Sequence, residues 1–181
     1  MGKGLRMDSG QEMKRSFRLL LIFSLLLFVI CRPKTEEDRI HELLATLIRM
    51  AEEKDLASMM TYFAEDFTDF EGRTKTGIEN FLAGYFSGRT GIVVHELSTR
   101  IENIQADRAA FQTEVALSSG AARALRRLIK LSPENYRIKV ELVREKEGWL
   151  IRYAEWAEIA LGELFPESLV SFKKLFSDKT R

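Results

Sequence analysis

From Glu36 onward, Ile40, Leu43, Leu44, Leu47, Ile48 and Ala51 recur at the i, i+3, i+4, i+7 spacing that gathers apolar side chains on one helical face. Glu42, Arg49, Glu52 and Glu53 fall elsewhere on the same helix. Thr35, with Asp38 three residues on, fits a capping box that opens it. Asp55 opens a shorter helix whose apolar side is Leu56, Met59, Met60 and Phe63. A third runs from about Gly77, with Ile78, Phe81, Leu82, Tyr85 and Phe86 on one face and Gly88 and Gly91 punctuating its end.

After Gly91 the period drops to two. Val93, His95, Leu97, Thr99 and Ile101 alternate with Val94, Glu96, Ser98 and Arg100. Past a turn at Asp107, Ala109, Phe111, Thr113, Val115 and Leu117 form one side of a second strand, with Gln112 and Glu114 on the other. Tyr136, Ile138, Val140 and Leu142 mark a third. A turn from Glu145 to Gly148 leads to a fourth, where Trp149, Ile151, Tyr153 and Glu155 share a face. Clean alternation is the pattern of antiparallel strands with one buried and one wet face. Between the second and third strands, Arg123, Arg126, Arg127 and Lys130 are interleaved with Leu125, Leu128 and Ile129. That stretch reads as a solvated face over a small apolar stripe, or as a surface for anionic lipid headgroups. A last helical segment follows Pro166. Three helices followed by a run of strands predict an α+β architecture.

The chain begins with a different pattern. Lys3, Arg6, Lys14, Arg15 and Arg18 precede an apolar run from Leu19 to Cys31 with Ser24 as its one polar residue. A basic lead and an apolar core of about 13 residues are the parts of an export signal. The run is short for a membrane span, which needs roughly 20 residues. No small-x-small cleavage site follows it. Cys31, the chain's one cysteine, ends the run, and the position resembles the lipidated cysteine of bacterial lipoproteins. Ile30 stands where that motif has a small residue. Lipidation at Cys31, an uncleaved anchor and ordinary secretion all remain open. Each places the body on the periplasmic side of a bacterial cell envelope, because the basic residues stay in the cytoplasm. The expected organisation is an export signal or anchor over 1–34, an α+β domain over 35–162 and a helical tail over 163–181.

Charge narrows the choice of partner. The whole chain is net +1, but its first 34 residues carry seven of the 28 basic and only two of the 27 acidic side chains. The remainder is therefore net negative by about four, which disfavours nucleic acid, since phosphate neutralisation needs clustered basic charge. Beyond Cys31 there is no thiol for a disulfide, a thiolate metal site or a nucleophile. His41 and His95 are the only histidines, and no cluster of His, Asp and Glu has ligand spacing, so no metal or other cofactor is expected.

The stretch AEEKDLASMMTYFAEDFTDFEGRTKTGIENFLAGYF, with Gly148–Trp149 and Glu155–Trp156 near the end of the strands, resembles the nuclear transport factor 2-like superfamily, the cystatin-like α+β roll. The resemblance covers roughly Glu36 to Ala160. It implies a cone of three helices packed on a curved antiparallel sheet of about four main strands, often with a pocket on the concave face. It also implies a homodimer through the sheet. Members of that superfamily include isomerases, dehydratases, cyclases, lipid carriers and non-catalytic binding domains, so function has to be argued from the site.

Phased by the alternation, the concave face carries Tyr136, Phe111, Thr113, His95, Trp149 and Tyr153 as ligand-binding candidates, with Tyr62 near the mouth. Asp66, Asp69 and Tyr85 are placed near the mouth as well. Enzymes of the superfamily that move protons use a carboxylate or an Asp–His pair, so Glu155, His95 and Asp66 are the catalytic candidates the resemblance suggests. Such a carboxylate needs an apolar wall to tune its pKa. The expectation is a membrane-tethered exported protein that binds a lipid-like apolar ligand, or a protein partner, without catalysis. The alternative is a small proton-transfer enzyme. An unfilled apolar cavity would mark the ligand binder, whereas Phe111, Trp149 and Tyr153 would plug that space in a purely protein-binding member.

Overall fold

The computed structural model describes residues 34–118, 134–146 and 148–177. The leader with Cys31, and the basic stretch from Arg123 to Lys130, lie outside the described residues. Among the described residues, no helix is long and apolar enough to cross a membrane.

Helix α1 spans Glu36–Glu53 and buries Ile40, Leu43, Leu44 and Met50. Full burial of such side chains stabilises by roughly 1.5–3 kcal/mol each, so this stripe fixes the helix on the sheet. Helix α2, Leu56–Met60, starts where the Asp55 carboxylate accepts the Ser58 backbone N–H at 3.1 Å. That bond satisfies one of the donors a helix start leaves unpaired. Helix α3 spans Lys75–Ser87 and buries Ile78 and Phe86.

Among the described residues the sheet has five strands, not four. Strand β1, Phe63–Asp69, was not legible in the alternation because its burial is irregular and its register shifts between Phe63 and Thr68. It pairs parallel with the last strand, so the sheet is mixed rather than wholly antiparallel. The other strands are β2 Val93–Ile104, β3 Arg108–Ser118, β4 Glu134–Glu145 and β5 Gly148–Glu158. The spatial order is β1-β5-β4-β3-β2, and the β2–β3, β3–β4 and β4–β5 pairs are antiparallel.

Helices α1 to α3 and one face of the sheet enclose the main core, in which Phe67 and Phe111 are almost fully buried. The opposite face carries a second, smaller cluster. A single 3-10 turn, Leu161–Glu163, leads to helix α4, Pro166–Ser177, which starts with proline at its first position. Leu164 and Phe172 from this segment bury Leu97 and Ala116 of the sheet. Glu114, read from the alternation as wet, is fully buried beneath it. The Glu114 carboxylate accepts from Arg137 Nε at 2.8 Å and from the Phe165 N–H at 2.9 Å, so the charge is fully satisfied.

Candidate functional site

Between the helices and the inner sheet face lies a cavity of about 320 Å3. Its lining is nearly all apolar. Leu44 and Leu47 come from α1, Ile78 and Leu82 from α3, Val140 from β4 and Ile151 from β5. The volume is at the lower end of the about 300–1,000 Å3 usual for small-molecule sites.

One border is aromatic. Phe81 lines the cavity and is 41% exposed. Its ring lies 5.8 Å from that of Trp156, another lining residue, and the exposed Phe70 meets Trp156 edge-on at 4.9 Å. The Arg73 guanidinium covers Phe81 at 4.5 Å. A turn after β1 sets its position. The buried Asp69 carboxylate accepts the backbone N–H groups of Glu71 and Arg73, at 3.0 and 2.8 Å, and Arg73 Nε at 2.9 Å. Gly72, at φ 77°, supplies the left-handed residue this turn needs.

The polar groups of the wall are few. Thr113 Oγ1 donates to the Ser98 carbonyl at 3.1 Å, so its proton is already used. The Tyr136 hydroxyl points at Glu134 Oε2 from 3.4 Å. Burial, then the Glu134 charge, pushes the Tyr136 phenol up to about 12. The Tyr85 hydroxyl is buried and has no hydrogen-bond partner among the described residues. Burial raises its pKa too, against the opposing pull of Arg89, whose guanidinium lies 4.3 Å over the Tyr85 ring. Arg89 in turn pairs with Glu134 at 3.0 Å.

Of the ligand-binding candidates, Phe111, Thr113 and Tyr136 line this cavity, and Tyr62, His95, Trp149 and Tyr153 do not. Two β-bulges account for the misplaced strand residues. The pairing of β2 with β3 shifts between Glu96 and Ser98, so Leu97 is an extra residue. Val94 is therefore a lining residue, while His95 and Leu97 face outward. There His95 meets the Phe176 ring edge-on at 5.2 Å and Ser118 Oγ at 3.3 Å. The second shift lies opposite Arg152. Ile151 pairs with Leu142, but Tyr153 pairs with Glu141 and Ala154 with Val140. Ala154 and Trp156 thus line the cavity in place of Tyr153 and Glu155. One extra residue flips every side chain beyond it, because the strand period is two.

The catalytic candidates are not brought together. Glu155 accepts from the Tyr153 hydroxyl at 3.3 Å on the outer face. Asp66 is 61% exposed and pairs with Arg152 at 2.9 Å. His95 lies under α4. Trp149 is buried at the start of α1, where its indole N–H donates to Glu36 Oε2 at 2.9 Å. The Tyr62 carbonyl accepts the Ile151 N–H at 2.8 Å, a sheet contact rather than a cavity one. Among the described residues, no carboxylate or imidazole lines the cavity, and no cluster of His, Cys, Asp and Glu could hold a metal ion.

The architecture matches solved structures. An NTF2-like protein of unknown function from Pseudomonas putida superposes with a TM-score of 0.57 at 15% identity, over 70% of this chain and 94% of that one. The fold is that of the nuclear transport factor 2-like proteins. A Novosphingobium aromaticivorans protein provisionally named a scytalone dehydratase matches with a TM-score of 0.57 at 13% identity, over 69% of this chain and 85% of its own. Bd1075 of Bdellovibrio bacteriovorus matches with a TM-score of 0.56 at 16% identity, over 70% of this chain and 43% of its own, so the chain spans less than half of that protein. At such identities the likeness to nuclear transport factor 2-like proteins is one of fold alone. No protein-family model matches the sequence, and no curated protein does.

Proposed function

We propose that this domain binds an apolar, lipid-like small molecule in the cavity between its helices and the inner sheet face, without transforming it. The observation that carries this reading is the unfilled space of about 320 Å3 within nearly continuous apolar walls. Desolvating apolar surface is the main driving force such a site offers. The space is not plugged by Trp149 and Tyr153, which lie elsewhere, and that favours a pocket over a purely protein-binding role. The leader supports tethering at the periplasmic side of a bacterial membrane, through a lipid on Cys31 or an uncleaved anchor.

Proton-transfer chemistry is the second reading. The pair of tyrosine hydroxyls near the cavity wall and the dehydratase name of one structural neighbour favour it. It ranks lower because Glu155, His95 and Asp66 lie outside the cavity, and a base within reach of the reacting proton is the first requirement.

Intact-mass analysis of the chain extracted gently from bacterial membranes tests both parts. A non-covalent lipid-sized adduct that survives soft ionisation supports the ligand reading, and a bare chain after incubation with total membrane lipid contradicts it. A mass beginning at Cys31 plus acyl groups supports lipidation. A mass that retains the leader replaces it with the anchor.

A further inference from the structure

Three aromatic rings gather at the cavity border, two of them open to solvent. Phe70, just past β1, is 46% exposed, and Phe81 on α3 is 41% exposed. Trp156 on β5 contacts both, edge-on to Phe70 at 4.9 Å and tilted against Phe81 at 5.8 Å. Phe81 and Trp156 also line the cavity, so the patch and the cavity are continuous. The Arg73 guanidinium sits over these two rings, at 4.5 and 5.4 Å. Contiguous exposed rings beside a cavity mark a contact surface rather than a solvated face.

The local charge narrows what that surface meets. Arg73 pairs with Asp69 at 2.9 Å and with Glu71, Lys75 with Glu65 at 2.7 Å, and Arg152 with Asp66 at 2.9 Å. With all three cations matched, little is left to attract an anionic partner. Rings that include a tryptophan, with a guanidinium on a long stem, suit the headgroup zone of a bilayer. Such side chains present an apolar body and a polar tip there.

The chain outside the described residues brings a bilayer close. Its apolar run ends at Cys31, five residues before α1 begins at Glu36. Those residues span at most about 17 Å when extended. Glu36 is bonded to Trp149 at 2.9 Å, and Trp156 follows seven residues later on the same strand, roughly 23 Å away. A domain lying along the membrane brings both ends of β5 to its surface.

We propose that the patch of Phe70, Phe81 and Trp156 docks on the neutral headgroup zone of the bilayer that holds the leader, so that the cavity border meets lipid directly. This rests on the reading of the leader as a tether and of the cavity as a site for an apolar molecule.

The test uses the full-length chain in phosphatidylcholine nanodiscs, with and without bromine at shallow acyl positions. Trp149 and Trp156 are the chain's two tryptophans, and Trp149 is buried. The expected result is bromine quenching of tryptophan emission that is insensitive to added salt and absent in Trp156→Phe. Phe70→Asp should lower the ratio of docked to undocked domain by roughly tenfold or more, and the quenching with it. Phe70 is half-exposed and does not line the cavity, so this variant should keep the wild-type urea midpoint. Val170→Asp, at a 68% exposed position of α4, should leave the quenching unchanged. No quenching in the wild type, or quenching that persists in Trp156→Phe or Phe70→Asp, overturns the docking. Shielding of Trp156 from acrylamide without bromine quenching, lost when each disc holds one chain, assigns the patch to a second copy and also overturns it. Calorimetric titration of ethylnaphthalene into the same discs reads the cavity separately. If Trp156 is quenched and ethylnaphthalene does not bind, the cavity reading falls and the docking stands. A chain that does not stay with the discs overturns tether and docking together.

Discussion

Ala154→Ile puts the cavity itself to the test. Ala154 lies on β5, lines the cavity and pairs with Val140 across the ladder. Isoleucine adds three carbons toward the empty space. At about 0.8 kcal/mol per buried methylene, the added burial contributes roughly 2 kcal/mol. Ordering the longer side chain takes back about 0.5–1 kcal/mol. The net expectation is a gain of about 1–2 kcal/mol, seen in urea denaturation as a higher midpoint at unchanged slope. A β-branched residue also suits a strand, by up to about 1 kcal/mol. Ala157→Ile, at an exposed position of the same strand, measures that contribution alone. The excess of Ala154→Ile over this control is the cavity term. If the space were already filled, the added carbons would force neighbours off their rotamers and cost about 1–3 kcal/mol. A loss of that size would refute the reasoning, and so would a gain no larger than the control's. The same variant should also weaken binding of apolar probes, because it occupies their volume.

Two further outcomes follow from the buried polar groups. Glu114→Ala leaves Arg137 and the Phe165 N–H without their carboxylate, and should cost about 3–5 kcal/mol in the same assay. A loss below about 1 kcal/mol would mean that α4 is held by its apolar contacts alone. The second concerns alkaline pH. Tyr136 is held protonated up to about 12 in the folded chain, against 10.0 for an unperturbed phenol. The folded state thus keeps this proton more tightly, so the contribution to stability is whole below pH about 10 and is lost as pH rises through about 12. A phenolate signal from Tyr136 at pH 10 in spectra of the folded protein, identified by comparison with Tyr136→Phe, would contradict the burial assigned to it.

Helices α1 and α3 were legible because each carries a single unbroken period, whereas Phe63, read as part of the second helix, opens β1. The face of Ile40, Leu43 and Leu44 is the face that α1 buries, and Asp55 caps α2 as its position suggested. The strands were legible as strands, but the direction of their side chains was not. His95 and Glu155 reach the inner face only if alternation runs unbroken, and the extra residues at Leu97 and Arg152 interrupt it. A bulge is a feature of pairing between strands, and one strand's residues carry little trace of it. β1 was missed for the same reason. Glu114 shows a second limit. Its alternation is correct, but the outer face it occupies is covered by the segment around Phe165, a tertiary contact that no local pattern records. Tyr85 was visible on the apolar face of α3, whereas the burial of its hydroxyl without a partner is a tertiary property that no local pattern records.

The central claim is that an apolar molecule occupies the space between α3 and the inner sheet face. Intermolecular NOEs between bound ethylnaphthalene and methyl-labelled protein test it most directly. The account predicts contacts to the methyls of Ile78, Leu82, Val140 and Ile151, which all line the cavity. Contacts confined to the outer face, at Leu97 and Leu164 under α4, or none at all at saturating probe, would contradict it.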